Sequence, residues 1–183
     1  MIAWAITGGE YLLRECVSII EALGHDKTEI FLSRAAEEVL RANGLADFLG
    51  RYRVFRDSFP SSPEIKLLYK GRYDLLVVAP ATSNTVAKFV HGISDTLVTN
   101  LFAQAGKVKL PIIVLPTDFQ EIVEYQTPGG KKLRFYSRRI DLENVRKLGE
   151  FEGVKVVTSP EELKAEIFNF QTFESLKDKR LKF

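Results

Sequence analysis

The chain has 183 residues, of which 45% are hydrophobic and 27% charged, an ordinary composition for a globular protein with one full-sized core. Its formal charge of +2 does not mark a nucleic-acid binder, and its single cysteine excludes an intrachain disulfide framework. No apolar run approaches the roughly 20 residues that span a bilayer, and the first residues lack the basic stretch of a signal peptide. We therefore expect a cytoplasmic protein of one domain, residues 1–183, that binds neither membranes nor nucleic acids.

The first predicted βα unit contains two adjacent glycines. An apolar run at residues 2–6 predicts a buried strand, and apolar residues at helical spacing predict a helix over 11–23. The turn between them is Thr7-Gly8-Gly9-Glu10. Glycines between a strand and a helix let an anion approach backbone N–H groups, although a plain tight turn has the same sequence. Both interpretations of this turn remain open.

The second unit repeats the arrangement with a serine at the strand end. Residues 29–32 predict a strand and residues 34–42 a helix, with Ser33 between them. Ser33 is a candidate ligand for the same anion or an N-cap for the helix, and the two roles are compatible. Val54 and Phe55 predict a short third strand, and residues 58–63 predict a loop that could form a wall of the ligand site.

The most informative stretch begins at residue 75. Residues 75–78 are uncharged and apolar, which is typical of a strand buried on both faces of a parallel sheet. Ala79, Pro80 and Ala81 are predicted to end this strand, because proline cannot donate to a ladder. The next residues are short and polar and suit a helix start: Thr82, Ser83, Asn84 and Thr85. Open α/β sheets bind ligands at such strand ends.

The remaining segments extend the sheet and interrupt it once. Ser94 or Asp95 is predicted to cap a helix that reaches about residue 105, and residues 111–116 predict a buried strand. Thr117 then lies at the strand end. Residues 119–139 predict a β-hairpin, which would serve as a lid or a subunit contact. Asp141 is predicted to cap the first helix of a helix-strand-helix segment that ends near residue 170.

The chain shows no motif for a catalytic metal or an activated nucleophile. His25 and His91 each follow a predicted helix, where the helix dipole favours a surface histidine. We therefore nominate no catalytic residue and no metal ligand. A polar, nucleotide-type pocket at the strand ends suits a cofactor that brings its own chemistry.

Two segments together resemble a known signature. Residues 79–88 read A-P-A-T-S-N-T-V-A-K, and residues 92–99 read G-I-S-D-T-L-V-T. They are similar to the P-A-S-A-N-T, A-K and G-x-x-D-N-L-x-T motifs of the FMN-binding flavoprotein superfamily, which includes phosphopantothenoylcysteine decarboxylase, flavin prenyltransferases and archaeal flavoproteins. The resemblance covers roughly residues 1–118. It implies a Rossmann-like three-layer α/β/α sandwich with a mostly parallel sheet, to which the hairpin is added, and FMN as the cofactor.

The resemblance also implies a set of cofactor-binding residues. The phosphate would be held by the first turn and the following serine: Thr7, Gly8, Gly9, Glu10 and Ser33. The isoalloxazine ring and ribityl chain would lie along the motif formed by Ala79, Pro80, Ala81, Thr82, Ser83, Asn84 and Thr85, with Thr117 as another contact. Relatives carry a small residue at the position of Glu10, so its carboxylate would have to point away from the phosphate.

Departures from the family patterns disfavour two activities. The decarboxylases need an upstream histidine and a later P-x-M-N segment, where this chain has residues 61–64, S-S-P-E, and 115–118, L-P-T-D. The prenyltransferases carry a P-R-E-like segment where residues 116–118 read P-T-D. The hairpin and residues 139–154 are most similar to the archaeoflavoproteins, which are homo-oligomers that accept electrons from ferredoxin.

We therefore expect an FMN-dependent electron-transfer protein that accepts electrons from ferredoxin and passes them to other reductases. An FMN-dependent reductase of a small substrate such as a dihydropterin is the alternative, and a nucleotide-binding regulatory module is the third possibility. We also expect a homo-oligomer, with Phe59 and the hairpin as candidate contacts.

A local excess of positive charge accompanies the ferredoxin hypothesis. Between residues 127 and 147, seven basic residues stand against two acidic ones, so seven minus two leaves +5. The basic residues are Lys131, Lys132, Arg134, Arg138, Arg139, Arg146 and Lys147. Such a patch could attract an acidic electron carrier, although an ordinary solvated hairpin has a similar composition.

Overall fold

Apolar runs form the strands of one parallel sheet in the computed structural model, which describes residues 1–58, 63–127 and 129–180. Within these residues the strands are β1 (Ile2–Ile6), β2 (Thr28–Leu32), β3 (Val54–Arg56), β4 (Leu75–Ala81), β5 (Ile112–Pro116), β6 (Ile122–Gln126), β7 (Lys132–Tyr136) and β8 (Val154–Val156). Six of them pair in parallel in the order β3-β2-β1-β4-β5-β8. This order confirms the predicted Rossmann-like sheet.

Helices cover both faces of this sheet. They are α1 (Leu13–Leu23), α2 (Arg34–Ala42), α3 (Lys66–Tyr69), α4 (Ser83–Val90), α5 (Leu97–Lys107), α6 (Arg139–Leu148) and α7 (Pro160–Arg180), with 3-10 turns at Ala46–Arg51 and Pro63–Ile65. Successive strand residues point to opposite faces, so Trp4 packs with residues of α1, α2 and α7, whereas Ala5 packs with those of α4 and α5. Two buried clusters therefore give the predicted three layers.

The direction of the chain across the sheet reverses at β1. Strands β2 and β3 lie on one side of β1, and β4, β5 and β8 lie on the other. Where the order reverses, the helices that follow neighbouring strands lie on opposite faces, and a crevice opens at the carboxyl ends of the strands. The fold thus assigns the ligand position to the ends of β1 and β4.

The predicted hairpin forms outside the main sheet. Strands β6 and β7 are antiparallel, in register from Ile122 opposite Tyr136 to Gln126 opposite Lys132. Val123 is buried, and the Tyr125 ring meets the Tyr11 ring edge-on at 6.1 Å between centroids. The hairpin therefore packs against the segment that follows the two glycines.

The predicted end of the central strand is wrong. Pro80 lies inside β4, which continues to Ala81, and Ala81 pairs with Pro116 of β5. The register shifts between Val78 and Ala81, and such an irregularity leaves a position without a ladder bond, where a proline is tolerated.

Two predicted helix caps are also wrong. Thr96, and not Ser94 or Asp95, caps α5, because its side chain and that of Thr99 satisfy each other's backbone N–H groups. Asp141 is not the cap of α6 but its third residue, and it accepts a hydrogen bond from the backbone N–H of Arg138. Most of the predicted 58–63 loop, with Phe59, lies outside the described residues.

A buried carboxylate joins β2 to the segment before β4. Glu29 accepts hydrogen bonds from Nε of Arg72, at 3.0 Å to each carboxylate oxygen, and from the Tyr73 hydroxyl. Burial alone would raise the pKa of Glu29, but the hydrogen bonds from Arg72 and Tyr73 and the nearby charges outweigh burial and hold the pKa below its ordinary value. The ionised carboxylate is therefore the form that stabilises the fold.

Replacing Glu29 by glutamine should lower the free energy of unfolding by about 1.5–3 kcal/mol at pH 7, because charged hydrogen bonds to a buried group are lost. A depressed pKa stabilises the fold above the ordinary carboxyl pKa of about 4.3, and this contribution disappears as the pH falls through the folded value. Urea unfolding of both proteins at several pH values tests this. The control is Glu21→Gln, whose exposed pair with Arg51 should contribute at most about 1 kcal/mol; equal effects of the two variants would contradict the prediction.

Candidate cofactor-binding cleft

A cleft opens where β1, β2 and β4 end. Its volume is about 490 Å3, within the usual range of small-molecule sites. The lining residues are Thr7, Gly8, Ser33, Arg34, Ala35, Asp57, Thr82, Asn84, Thr85, Lys88, Asp95, Thr96, Val98 and Thr99. The cleft thus lies at the position that the strand order assigns to a ligand.

Three helices begin at this cleft, each capped by a hydroxyl side chain. The Ser33 hydroxyl accepts a hydrogen bond from the Ala36 N–H at 3.1 Å, and Thr82 and Thr96 cap α4 and α5 in the same way. The first turn of a helix retains N–H groups without intrahelical partners, and its dipole is positive at that end. The wall of the cleft therefore favours anionic and hydrogen-bond-accepting groups.

Thr7 joins the end of β1 to the start of α4. Its hydroxyl donates to the Pro80 carbonyl at 2.8 Å and accepts from the Thr82 N–H at 2.9 Å. The Thr7 N–H also donates to the Pro80 carbonyl. This side chain is buried and doubly bonded, so it holds the two sides of the cleft together.

Both glycines of the first turn are required by close packing. A Cβ on Gly8 would lie 2.5 Å from the Cβ of Ala35, and one on Gly9 would lie 2.8 Å from Cγ2 of Thr117. Of the two, Gly8 lines the cleft with its backbone. The tight-turn interpretation is therefore confirmed, since the turn lies directly against the start of α2. Because Gly8 also lines the cleft, the anion-site interpretation stays a prediction that is compatible with this turn.

The structure brings about half of the predicted site residues together. Six of them line the cleft: Thr7, Gly8, Ser33, Thr82, Asn84 and Thr85. The lining does not include Gly9, Glu10, Ala79, Pro80, Ala81, Ser83 or Thr117. Ala79 and Ala81 are fully buried within β4, and the Thr117 hydroxyl donates to Asp118 at 2.6 Å.

Glu10 is directed toward the hairpin. Its carboxylate interacts with the Tyr125 hydroxyl, and burial together with this interaction raises the pKa of Tyr125. The resemblance implies that this carboxylate points away from a bound phosphate, and the interaction with Tyr125 of the hairpin provides another partner for it.

The cleft also contains charged residues that were not predicted from the sequence as site residues. Lys88 donates to both oxygens of Asp95 at 2.8 Å, and this hydrogen-bonded pair lowers the pKa of Asp95. Asp57 accepts from the Leu97 N–H at 3.1 Å. Arg34, the first residue of α2, also lines the cleft. Asp57 directly follows β3, and Arg34 lies two residues after β2. Ser33 was predicted because it is a polar residue at the end of a strand, and the same criterion would also have identified Asp57 and Arg34.

Beside these charged residues, whose carboxylates are hydrogen-bonded within the protein, the cleft offers hydroxyls, an amide and backbone N–H groups. No group of His, Cys, Asp and Glu side chains suited to a metal ion occurs in the described part of the chain. Burial raises the pKa of the Cys16 thiol, far from the thiolate form that a nucleophile needs. Such a site binds and orients a cofactor, and the cofactor performs the chemistry.

The sheet order and this lining define a nucleotide-binding protein of the doubly wound α/β class. The chain belongs to the Flavoprotein family, whose sequence profile matches residues 1–179. This match confirms the resemblance that the two signature segments predict.

Similar proteins agree with this assignment. Dihydromethanopterin reductase (acceptor) of Methanocaldococcus jannaschii is 32% identical, over 93% of this chain and 96% of the relative. An uncharacterised protein of the same organism is 39% identical over 175 residues, 88% of this chain and 91% of that protein. The crystal structure of Burkholderia xenovorans DmrB in complex with FMN, described as a cubic protein cage for redox transfer, has a TM-score of 0.86 at 41% identity, covering 95% and 96% of the two chains.

More distant structures share the fold alone. Phenylacrylic acid decarboxylase from Aquifex aeolicus has a TM-score of 0.63 at 23% identity. Among residues 1–58, 63–127 and 129–180, no helix is both long and apolar enough to cross a membrane.

Adding a methyl group at Gly8 should weaken flavin binding and lower the free energy of unfolding by about 1–3 kcal/mol, because the new Cβ overlaps Ala35. The double variant Gly8→Ala/Ala35→Gly should recover much of both losses. Gly106→Ala is the matched control, since no atom lies within 4 Å of a Cβ there. Flavin titration and thermal unfolding measure the effects, and a Gly8→Ala protein with unchanged flavin affinity would be evidence against the packing argument.

Proposed function

We propose that this protein is an FMN-dependent reductase of a small heterocyclic substrate of the dihydropterin class. The proposal rests on its near-full-length similarity to dihydromethanopterin reductase (acceptor), together with the 41% identity to FMN-bound DmrB. Such a reductase is the alternative function that the amino-acid sequence also allows. The cleft supports it, because its hydroxyls, amide and backbone N–H groups can bind and orient a redox cofactor, which then supplies the reduction chemistry.

The residues of the cleft suit FMN. The phosphate would lie at the turn and helix start formed by Gly8 and Ser33, where unpaired N–H groups and a hydroxyl offer hydrogen bonds. Asn84, exposed in the first turn of α4, offers an amide donor and acceptor for the polar edge of the ring. When bound, FMN supplies two-electron chemistry, in which its reduced form can deliver a hydride to a C=N bond. Thr7 and Thr82 keep the two walls of the cleft at a defined separation.

We also propose that the protein assembles as a homo-oligomer. Large apolar side chains are exposed on the hairpin and the start of α6: Ile122, Phe135, Tyr136 and Ile140. Tyr136 is 69% exposed and Phe135 is 50% exposed. Ile122 and Tyr136 lie directly opposite each other in the hairpin, and exposed apolar side chains of this kind occur at interaction surfaces. DmrB, which is similar over 95% of this chain, is described as a cubic cage.

A second candidate function is electron transfer from a ferredoxin-like carrier to other reductases. It is supported by the basic segment after residue 127, although ion pairs in the structure offset some of the positive charges of this segment. Arg134 pairs with Glu124, Arg138 with Asp141 and Arg139 with Glu143, and these carboxylates offset the arginines. Among the described residues, no ion pair involves the two hairpin lysines, Lys131 and Lys132. Substitution of these two lysines therefore tests the carrier-docking hypothesis more directly than substitution of the paired arginines.

The purified protein should show the two-band absorption spectrum of FMN. After stoichiometric anaerobic reduction, addition of a 7,8-dihydropterin should restore the oxidised spectrum, because the substrate takes up the two electrons. Buffer without substrate is the control. Bleaching of the oxidised flavin by reduced ferredoxin, with no reoxidation of the reduced flavin by the dihydropterin, would favour the second candidate, and a protein that stays colourless with added FMN would contradict both.

If an acidic carrier docks on the hairpin, Lys131→Glu/Lys132→Glu should slow ferredoxin-driven flavin reduction about tenfold or more at low salt, with the difference shrinking at high salt. The control is Lys27→Glu/Lys70→Glu, which makes the same change in net charge near the amino ends of β2 and β4, opposite the cleft. Stopped-flow absorbance gives the rates. Equal slowing by both variants would indicate an effect of net charge rather than a docking site.

A further inference from the structure

Arg34 is a cation placed at the mouth of the cleft. It is the first residue of α2, directly after the cap Ser33, and it lines the cleft. Its Nε donates to the backbone carbonyl of Asp57 at 3.2 Å. This bond uses one of the five N–H donors of the guanidinium and restricts the orientation of this exposed side chain. The remaining donors are left for a ligand.

Arg34 differs from Lys88, the other cation of the cleft lining, in its ion pairing. The other cation of the lining, Lys88, forms a two-oxygen ion pair with Asp95. The nearby Asp57 carboxylate accepts from the Leu97 N–H at the start of α5, and only its backbone carbonyl meets Arg34. In the part of the chain that the structure describes, no carboxylate forms an ion pair with Arg34. Its positive charge therefore adds to that of the α2 start.

A hydroxyl donor lies beside this cation. The Ser33 oxygen accepts from the Ala36 N–H, so its own hydrogen remains available to a ligand. The backbone N–H groups of Arg34 and Ala35, in the first turn of α2, have no intrahelical acceptor. A guanidinium, a hydroxyl and two N–H groups around one end of a cavity form a donor set matched to a phosphate monoester.

We propose that Arg34 binds the terminal phosphate of the flavin and makes the cleft select a phosphorylated flavin over riboflavin. This inference rests on the proposed function, because it takes FMN as the occupant of the cleft. The Asp57 carbonyl orients the guanidinium before the ligand arrives, so the cofactor does not have to order a free side chain. Arg34 then contributes the charged side chain of the phosphate site, Ser33 contributes a hydroxyl, and Gly8 and the helix start contribute backbone groups.

The test compares the affinities for FMN and riboflavin of the apoprotein and of Arg34→Gln, by quenching of flavin fluorescence. The Gln variant should lose about 10- to 100-fold in FMN affinity, the range expected for a charge-assisted hydrogen bond to phosphate. Its riboflavin affinity should change less than about threefold. Arg34→Lys keeps the charge without the planar fork and should fall between the two. Arg41→Gln, which removes the arginine at the other end of α2, should change neither affinity.

Inorganic phosphate gives a readout that does not depend on the flavin ring. It should compete with FMN in the unaltered protein and compete much less in Arg34→Gln. Equal losses for FMN and riboflavin would reduce Arg34 to a structural role, and an unchanged FMN affinity would overturn the inference while leaving the FMN site intact. If the unaltered protein bound neither flavin, the proposed function would fail and this inference with it.

Discussion

The hydrogen bonds of Thr7 hold the cleft together. The Thr7 hydroxyl donates to the Pro80 carbonyl in β4 and accepts from the Thr82 N–H, directly before α4. It therefore joins the ends of β1 and β4 at the point where the sheet order reverses. The positions of Gly8, Thr82 and Asn84 follow from this junction. Because the bonds are buried and directional, they set the separation of the cleft walls more sharply than apolar packing could.

Around that junction the protein uses helix starts instead of charged clusters. Ser33, Thr82 and Thr96 each satisfy an N–H group inside their own helix, and the neighbouring N–H groups remain for a ligand. The carboxylates of the cleft are occupied elsewhere, Asp95 by Lys88 and Asp57 by the start of α5. The site is therefore polar, and its helix starts offer N–H groups and positive dipole ends that suit an anionic cofactor, which supplies the reduction chemistry.

The hairpin connects this cleft region to the outside of the molecule. Tyr125 reaches back to Glu10 and Tyr11, which follow the two glycines. On the hairpin and the adjacent helix start, apolar side chains such as Tyr136 and Ile140 remain exposed. An assembly that covered these side chains would also contact the element that packs on the glycine turn, so oligomer formation and cofactor binding would share a structural element.

Much of the fold and part of the site could be predicted from local sequence. Apolar runs and the hairpin alternation determine the strands, and short polar residues after β4 determine a ligand-binding helix start, because these patterns act through nearest neighbours. The tertiary structure alone decided that Pro80 stays within a strand, that Glu10 turns to Tyr125, and that Asp57 and Arg34 meet across the cleft. Each depends on strand register and on contacts between residues distant in the chain, which no local pattern encodes.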